Sequence, residues 1–131
     1  MIGILVVSHS PKAAQGISEI ASAMSQGSVP VVGVGGSEDG GLGTSVPAIY
    51  EALTELLDRC DGVVVVPDRG SAVLSARAAL EMLPQPDRVV IADGPVLEGA
   101  MMGAVQASVG SGLDEVARTV FEARNLEKSK R

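Results

Sequence analysis

The chain has a single histidine, His9, at a place where its side chain could act as a nucleophile. It lies one residue after a short apolar run and precedes Ser10 and Pro11, which are typical of a helix start. A neutral imidazole can accept a phosphoryl group near neutral pH, and the free amides of a helix N-terminus stabilise an anion. A surface histidine in an ordinary turn is the alternative. Because this is the only histidine and it lies at a strand-to-helix junction, we favour the nucleophile.

Asp68 is the candidate partner of that imidazole. Attack through one ring nitrogen leaves positive charge on the ring. A carboxylate that accepts a hydrogen bond from the other nitrogen offsets this charge and fixes the tautomer. Asp68 follows the third apolar run, so it lies near His9 if the first and third strands are neighbours. A turn aspartate that bonds to the backbone near Gly70 is the alternative, and these residues alone leave both interpretations open.

A glycine-rich segment, residues 35–43, resembles an anion-binding nest that leads into a helix. The amide of Gly43 and the hydroxyls of Thr44 and Ser45 are its candidate phosphate contacts, and either Thr44 or Ser45 is expected to cap the helix. A flexible loop with an ordinary cap explains the same pattern. The segment is not a P-loop, because no lysine follows the glycines.

Three further residues at strand-to-helix junctions are candidate phosphate contacts: Ser10, Gly70 and Ser71. Ser71 is also predicted to cap the third helix. A metal site is disfavoured, because one histidine and one cysteine give no cluster at ligand spacing, and no cofactor is expected.

The elements that must position these residues alternate between strands and helices. Apolar runs rich in β-branched residues predict four strands, at 2–7, 29–34, 62–66 and 88–92. Apolar residues at helical spacing predict helices at 11–26, from 44 or 45 to 58, and at 71–83, 96–109 and 113–126. This order predicts one doubly wound α/β domain, 1–131, with a mainly parallel four-stranded sheet and helices on both faces. In such a sheet, ligands bind beyond the carboxyl ends of the strands, where the candidate residues lie.

The composition of the chain indicates which partners and which compartment to expect. The formal net charge of −6 and the 2% aromatic content argue against a nucleic-acid partner. Lys128, Lys130 and Arg131 are expected to form a solvated basic tail. The lone Cys60 favours a reducing compartment, and no apolar run is long enough to span a membrane. We therefore expect a cytoplasmic protein without a membrane partner.

Four short segments, in order at the four strand-to-helix junctions, resemble those of a known family. They are I-L-V-V-S-H-S at 4–10, G-L-G-T-S at 41–45, D-x-G-S-A at 68–72 and P-V-L-E-G-A at 95–100. The chain is similar to the enzyme IIA component of the mannose-type phosphotransferase system, in the branch that serves the phosphoenolpyruvate-dependent dihydroxyacetone kinase.

The resemblance implies strand order 2-1-3-4 and a homodimer. It implies that HPr phosphorylates His9, with Asp68 beside the ring. The phosphoryl group then passes to ADP bound on DhaL, whose ATP-loaded form phosphorylates dihydroxyacetone held by DhaK. The chain departs from the branch at Arg69, where an aliphatic residue is usual, and at Asp93-Gly94, where the turn is usually less polar. These departures are expected to bear on partner choice.

The chain ends at Arg131, so we expect no fused HPr-like or enzyme I-like domain, and separate proteins as the phosphoryl source. Two alternatives stay open at this point. The chain could be a sugar-transport enzyme IIA that donates to a IIB component, or a regulatory module whose phosphorylation state a transcription factor senses. A chelatase-like domain is disfavoured, because it needs further metal-binding side chains.

Overall fold

The computed structural model describes residues 1–129, so the predicted tail residues Lys130 and Arg131 lie outside the described residues. Strands and helices alternate in this range: β1 (Ile2–Ser8), α1 (Pro11–Met24), β2 (Val31–Gly35), α2 (Val46–Arg59), β3 (Gly62–Pro67), α3 (Gly70–Glu81), β4 (Val89–Ile91), α4 (Val96–Ser108) and α5 (Leu113–Glu122). Short 3-10 helices cover Pro86–Arg88 and Ala123–Asn125. The strands pair in parallel in the order β2-β1-β3-β4. The predicted fold class and strand order are confirmed.

Element boundaries differ from the predictions by a few residues. Helix α1 ends at Met24 rather than near Gln26, because Gln26 and Gly27 have φ angles of 56° and 74°. Left-handed backbone of this kind ends a helix. Strand β2 begins after Pro30, whose carbonyl accepts a hydrogen bond from the Ile4 amide at 2.9 Å. The last predicted helix ends as a 3-10 turn instead of reaching Leu126.

The sheet separates two apolar cores. Alternate β1 side chains point to opposite faces, so that Ile4 and Val6 pack against α1, α4 and α5, whereas Leu5 and Val7 pack against α2 and α3. All residues of β1 and β3 are buried, which is typical of strands covered on both faces. Within residues 1–129, no helix is long and apolar enough to cross a membrane. A site at the carboxyl ends of β1 and β3 is therefore supported by two fully buried strands.

Arg88 ties the start of β4 to the end of α2. Its guanidinium donates to the carbonyl oxygens of Leu57 at 3.0 Å, Cys60 at 2.6 Å and Asp61 at 3.1 Å. The last carbonyls of a helix have no partner within the helix, so a side chain that reaches them stabilises the helix end. Arg88 thus performs a structural role at the amino end of the sheet, opposite to the predicted site.

We expect Arg88→Ala to lower the free energy of unfolding by about 2–3 kcal/mol, because it removes several charge-assisted hydrogen bonds at once. Urea unfolding at neutral pH measures the change. The matched control is Arg118→Ala, an exposed arginine of α5, which should change the free energy of unfolding by less than about 0.5 kcal/mol. Equal effects of the two substitutions would contradict the role assigned to Arg88.

Candidate functional site

The carboxyl ends of β1, β2 and β3 meet at one edge of the sheet. Val7 pairs with Pro67 and Ser8 pairs with Gly35, so the residues that follow these strands are brought together. The Asp68 amide extends the ladder by one step, donating to the Val7 carbonyl at 2.9 Å. The parallel register therefore places Asp68 opposite Ser8, within reach of the residue that follows Ser8.

That residue is His9, and the predicted contact with Asp68 is present. His9 Nδ1 lies 2.9 Å from Asp68 Oδ1, and the His9 amide donates to Asp68 Oδ2 at 3.0 Å. Both side chains are mostly buried, with 23% and 18% of their surfaces exposed. An ionised carboxylate only accepts hydrogen bonds, so Nδ1 carries the proton and Nε2 keeps its lone pair. The ring is thus held in the tautomer that leaves the lone pair of Nε2 available.

Ser8 belongs to the site, although no residue pattern indicated a functional role for it. Its hydroxyl donates to Asp68 Oδ2 at 2.9 Å and accepts from the Ser10 amide at 3.2 Å. Burial alone raises the pKa of Asp68, but the hydrogen bonds from the His9 amide, the His9 ring and Ser8 outweigh it, so the pKa of this carboxyl lies below its ordinary value. Asp68 therefore stays ionised at neutral pH.

The lowered pKa of Asp68 predicts a pH dependence of stability. A carboxyl whose pKa is lower in the folded chain stabilises the fold above its unfolded pKa of about 3.9, and loses this contribution as pH falls through its folded pKa. We expect the difference in free energy of unfolding between the wild type and Asp68→Asn to be largest near pH 6 and to shrink below about pH 4. Urea unfolding at a series of pH values measures it. A difference that stays constant down to pH 3 would contradict the prediction.

Ser71 approaches the ring from the opposite side to Asp68. Its Oγ lies 2.5 Å from His9 Nε2, so the hydroxyl donates to the lone pair in the tautomer fixed by Asp68. The predicted capping role of Ser71 is wrong: α3 begins at Gly70, and the cap position is Arg69, in extended backbone without a side-chain cap bond. Ser71 contacts the histidine instead of capping the helix.

The helix that faces Nε2 is α3, whereas the sequence pointed to α1. The amides of Gly70 and Ser71 begin α3, and no acceptor for either exists among the described residues. At α1, by contrast, the Ser10 hydroxyl caps the helix and accepts from the Ala13 amide at 3.2 Å, as predicted. Free amides next to Nε2 can hold the oxygens of an anion.

The glycine-rich segment packs against the backbone of His9. The Gly43 amide donates to the His9 carbonyl at 2.8 Å, and the Thr44 hydroxyl lies 2.6 Å from Ser75 Oγ on α3. Ser45 is the cap of α2 and is buried, with its hydroxyl accepting from the Ala48 amide at 3.2 Å. Phosphate binding by Gly43, Thr44 and Ser45 stays a prediction, and the structure gives each of these groups a partner inside the chain.

Glycine is required at the end of β2, where the chain passes close to the turn formed by His9, Ser10 and Pro11. A Cβ on Gly35 would lie 2.4 Å from the Ser10 carbonyl oxygen, and a Cβ on Gly36, whose φ is 94°, would lie 2.7 Å from the Pro11 ring. Any larger residue would push the turn that carries His9 out of position. These two glycines let the backbone of the loop support the turn directly.

The two departures from the family pattern differ in their surroundings. Arg69 is exposed and directly follows Asp68 in the chain. The Asp93-Gly94 turn is tied to the end of α5, because Arg124 donates to the Asp93 carbonyl at 2.7 Å and a Cβ on Gly94 would lie 2.2 Å from the Val120 carbonyl oxygen. The turn therefore has a packing role of its own. No group of three or more His, Cys, Asp or Glu within residues 1–129 is arranged to hold a metal ion.

Two relatives of the chain are both named as phosphoryl donor subunits of a dihydroxyacetone kinase. The chain is 37% identical over 111 residues to a Listeria innocua protein named PEP-dependent dihydroxyacetone kinase 2, phosphoryl donor subunit DhaM, covering 83% of this chain and 88% of the relative. It is 33% identical over 137 residues to the Escherichia coli phosphoryl donor subunit DhaM, covering all of this chain but 28% of that relative. The chain thus corresponds to a small part of the longer protein.

A solved structure with a similar fold and a matching family model are both of the enzyme IIA type. The crystal structure of phosphotransferase system component EIIA from Streptococcus agalactiae superposes with a TM-score of 0.72 over 98% of both chains, at 18% identity, which supports the fold. The EIIA-man family, described as PTS system fructose IIA component, matches residues 3–117. His9, Asp68 and Ser71 all lie within the matched range, and the chain belongs to the EIIA-man family.

Proposed function

We propose that the chain is a phosphohistidine carrier, in which Nε2 of His9 accepts a phosphoryl group and passes it on. The observation that supports this most strongly is the pairing of Nδ1 with Asp68, which leaves the other ring nitrogen as the nucleophile beside the start of α3. Relatives named as phosphoryl donor subunits support a phosphotransfer role in the dihydroxyacetone kinase system.

The first transfer forms one bond and breaks one. The Nε2 lone pair attacks the phosphorus of a phosphohistidine on HPr, and the electron pair of the broken N–P bond returns to the donor ring. The His9 ring becomes positively charged, and the Asp68 carboxylate offsets this charge through the Nδ1 proton. The Ser71 hydroxyl, which contacts Nε2 in the free protein, turns to donate to a phosphoryl oxygen.

The second transfer reverses these roles. An oxygen of the terminal phosphate of ADP on DhaL attacks the phosphorus, and the N–P electron pair returns to Nε2. The amides of Gly70 and Ser71 are suited to hold the equatorial oxygens during both steps, because phosphoryl transfer depends mainly on positioning and charge stabilisation. Gly70 and Ser71 are both exposed, so a partner protein can reach them.

The partners and the setting are part of the proposal. We infer HPr as donor and ADP-bound DhaL as acceptor, with DhaK in the larger system and a homodimeric carrier. The buried thiol of Cys60 has no disulfide partner and favours a reducing compartment such as the cytoplasm. The family description as a fructose IIA component supports one second candidate, a sugar-transport IIA that donates to a IIB component.

Intact-mass measurement tests the proposal. The purified chain is incubated with phosphoenolpyruvate, enzyme I and HPr, and we expect the mass of one phosphoryl group to be added in an acid-labile form. Loss of this mass on adding DhaL and ADP would identify the kinase acceptor, and loss only on adding a IIB component would identify the sugar-transport alternative. No added mass, with phospho-HPr present in the same tube, would contradict the carrier function.

A further inference from the structure

Ser8 is the last residue of β1, and its side chain is fixed on both sides. Only 2% of the residue is exposed, and it pairs with Gly35 of the neighbouring strand. The Ser10 amide donates to its oxygen at 3.2 Å, so the single hydroxyl proton is directed to Asp68 Oδ2 at 2.9 Å. A hydroxyl with one acceptor and one donor in place has no freedom to turn away from the carboxylate.

The two oxygens of Asp68 are used differently. Oδ2 accepts from Ser8 and from the His9 amide, whereas Oδ1 faces the His9 ring. The terminal torsion of an aspartate is soft, so hydrogen bonds decide how the carboxylate plane is turned. The two bonds at Oδ2 therefore set the direction in which Oδ1 points.

We propose that Ser8 is a positioning residue for phosphoryl transfer, which acts by holding the Asp68 carboxylate ionised and aimed at Nδ1 of His9. Each hydrogen bond donated to a carboxylate makes it a weaker base. The Nδ1 proton then stays on the ring while the ring gains positive charge, and Nε2 stays the nitrogen that reacts. The inference rests on the proposed function of His9, and the tautomer that it concerns exists in the free protein as well.

The hydrogen bond from Ser8 is one of the causes that lower the pKa of Asp68. His9 is the titratable side chain in direct contact with this carboxyl. Arg69 follows in the chain, and Lys12 lies in the first turn of α1. At the end of the next strand, Asp93 pairs with Arg124 at 3.4 Å. Replacement of Ser8 leaves all these charges unchanged, so a shift in the titration of Asp68 reports on the lost hydroxyl.

Nuclear magnetic resonance of the ring nitrogens tests the effect of Ser8 on the Asp68 carboxylate without any phosphorylation. The chain has one histidine, so its ring ¹⁵N signals need no assignment to a residue, and only Nδ1 and Nε2 have to be told apart. Titration of Asp68 should appear as an acidic inflection in these signals, and Ser8→Ala should move it upward by about 0.5–1 pH unit. The control is Ser25→Ala, which removes a buried serine hydroxyl at the end of α1 and should leave the inflection in place. An unchanged inflection in Ser8→Ala overturns the inference.

Conservative variants distinguish the effect of the Ser8 hydroxyl from the effect of side-chain volume. Ser8→Thr keeps the donor and should return the inflection to its wild-type position. Ser8→Cys keeps nearly the same volume but donates weakly, so it should behave like Ser8→Ala. Ser8→Cys also serves as the test protein if Ser8→Ala does not fold. Wild-type behaviour of the cysteine variant would count against a role for the hydroxyl proton.

A double-mutant cycle tests whether Ser8 affects phosphoryl transfer through Asp68. Loss of one charge-assisted hydrogen bond should slow phosphorylation by phospho-HPr about 5- to 30-fold in Ser8→Ala. In the Asp68→Asn background the same substitution should have little further effect, because Ser8 acts through Asp68. Equal losses in both backgrounds would show a merely structural role. If the wild type itself takes no phosphoryl group, the proposed function fails, whereas a phosphorylated wild type with an equally fast Ser8→Ala refutes the inference alone.

Discussion

His9→Asn is expected to reduce phosphorylation of the chain by phospho-HPr from one phosphoryl group to below detection. Asparagine places an amide donor near the position of Nδ1, so it can keep the contact with Asp68, but it has no atom at the position of Nε2. The substitution therefore removes the nucleophile and leaves the supporting bond. Because no second histidine exists in the chain, no other imidazole can take over the reaction.

Intact-mass spectrometry after incubation with phosphoenolpyruvate, enzyme I and HPr measures this effect. The matched control is Ser25→Ala, at the far end of α1, which should be phosphorylated like the wild type. The free energy of unfolding of His9→Asn should stay within about 1 kcal/mol of the wild type, since one partly exposed contact is exchanged for another. An acid-labile phosphoryl group on His9→Asn would refute the assignment of His9 as the carrier.

Asp68→Asn should slow phosphorylation by a factor on the order of 10³. An asparagine cannot accept hydrogen bonds at both of the positions that now receive Ser8, the His9 amide and the His9 ring. If its oxygen takes the Oδ2 position, its amino group faces Nδ1. The ring then accepts at Nδ1 and carries its proton on Nε2, so the reacting nitrogen loses its lone pair.

Two measurements separate this effect from unfolding. The rate of phosphoryl uptake from phospho-HPr gives the loss of transfer, and the ¹⁵N signals of the ring give the tautomer. We expect Nδ1 to be protonated in the wild type and Nε2 to be protonated in Asp68→Asn at a pH where the ring is neutral. A slow variant with the wild-type tautomer would contradict this explanation, and a variant that reacts as fast as the wild type would exclude Asp68 from the mechanism.

The strands and the junctions that hold the site could be predicted from the sequence, because local composition determines them. A run such as residues 2–7 has no polar group to satisfy and is rich in β-branched residues, so a buried strand followed by His9 is its natural structure. The caps Ser10 and Ser45 were also predictable from residue type, and both are confirmed. The strand order came from the family resemblance and not from these patterns.

The contacts within the site depend on register, which no local pattern contains. Asp68 could equally have been a turn residue until β1 and β3 were paired with Val7 opposite Pro67. Ser8 ends an apolar run and looks like the first residue of a loop, yet it continues β1 and is buried. Ser71 has the residue type of a helix cap, but its hydroxyl bonds to the imidazole of a segment 62 residues away. In each of these residues, a partner far away in the sequence determines the contacts of the side chain.

The burial of β1 on both faces has a consequence for motion. Its amides can exchange with solvent only when the helices on both sides of the sheet separate together, so deuterium exchange in β1 should be limited by global unfolding. Ser8 is the last residue of that strand and is directly bonded to Asp68. The imidazole is therefore attached to the slowest-opening part of the protein. The ring should therefore keep its orientation when one partner leaves and the next one binds.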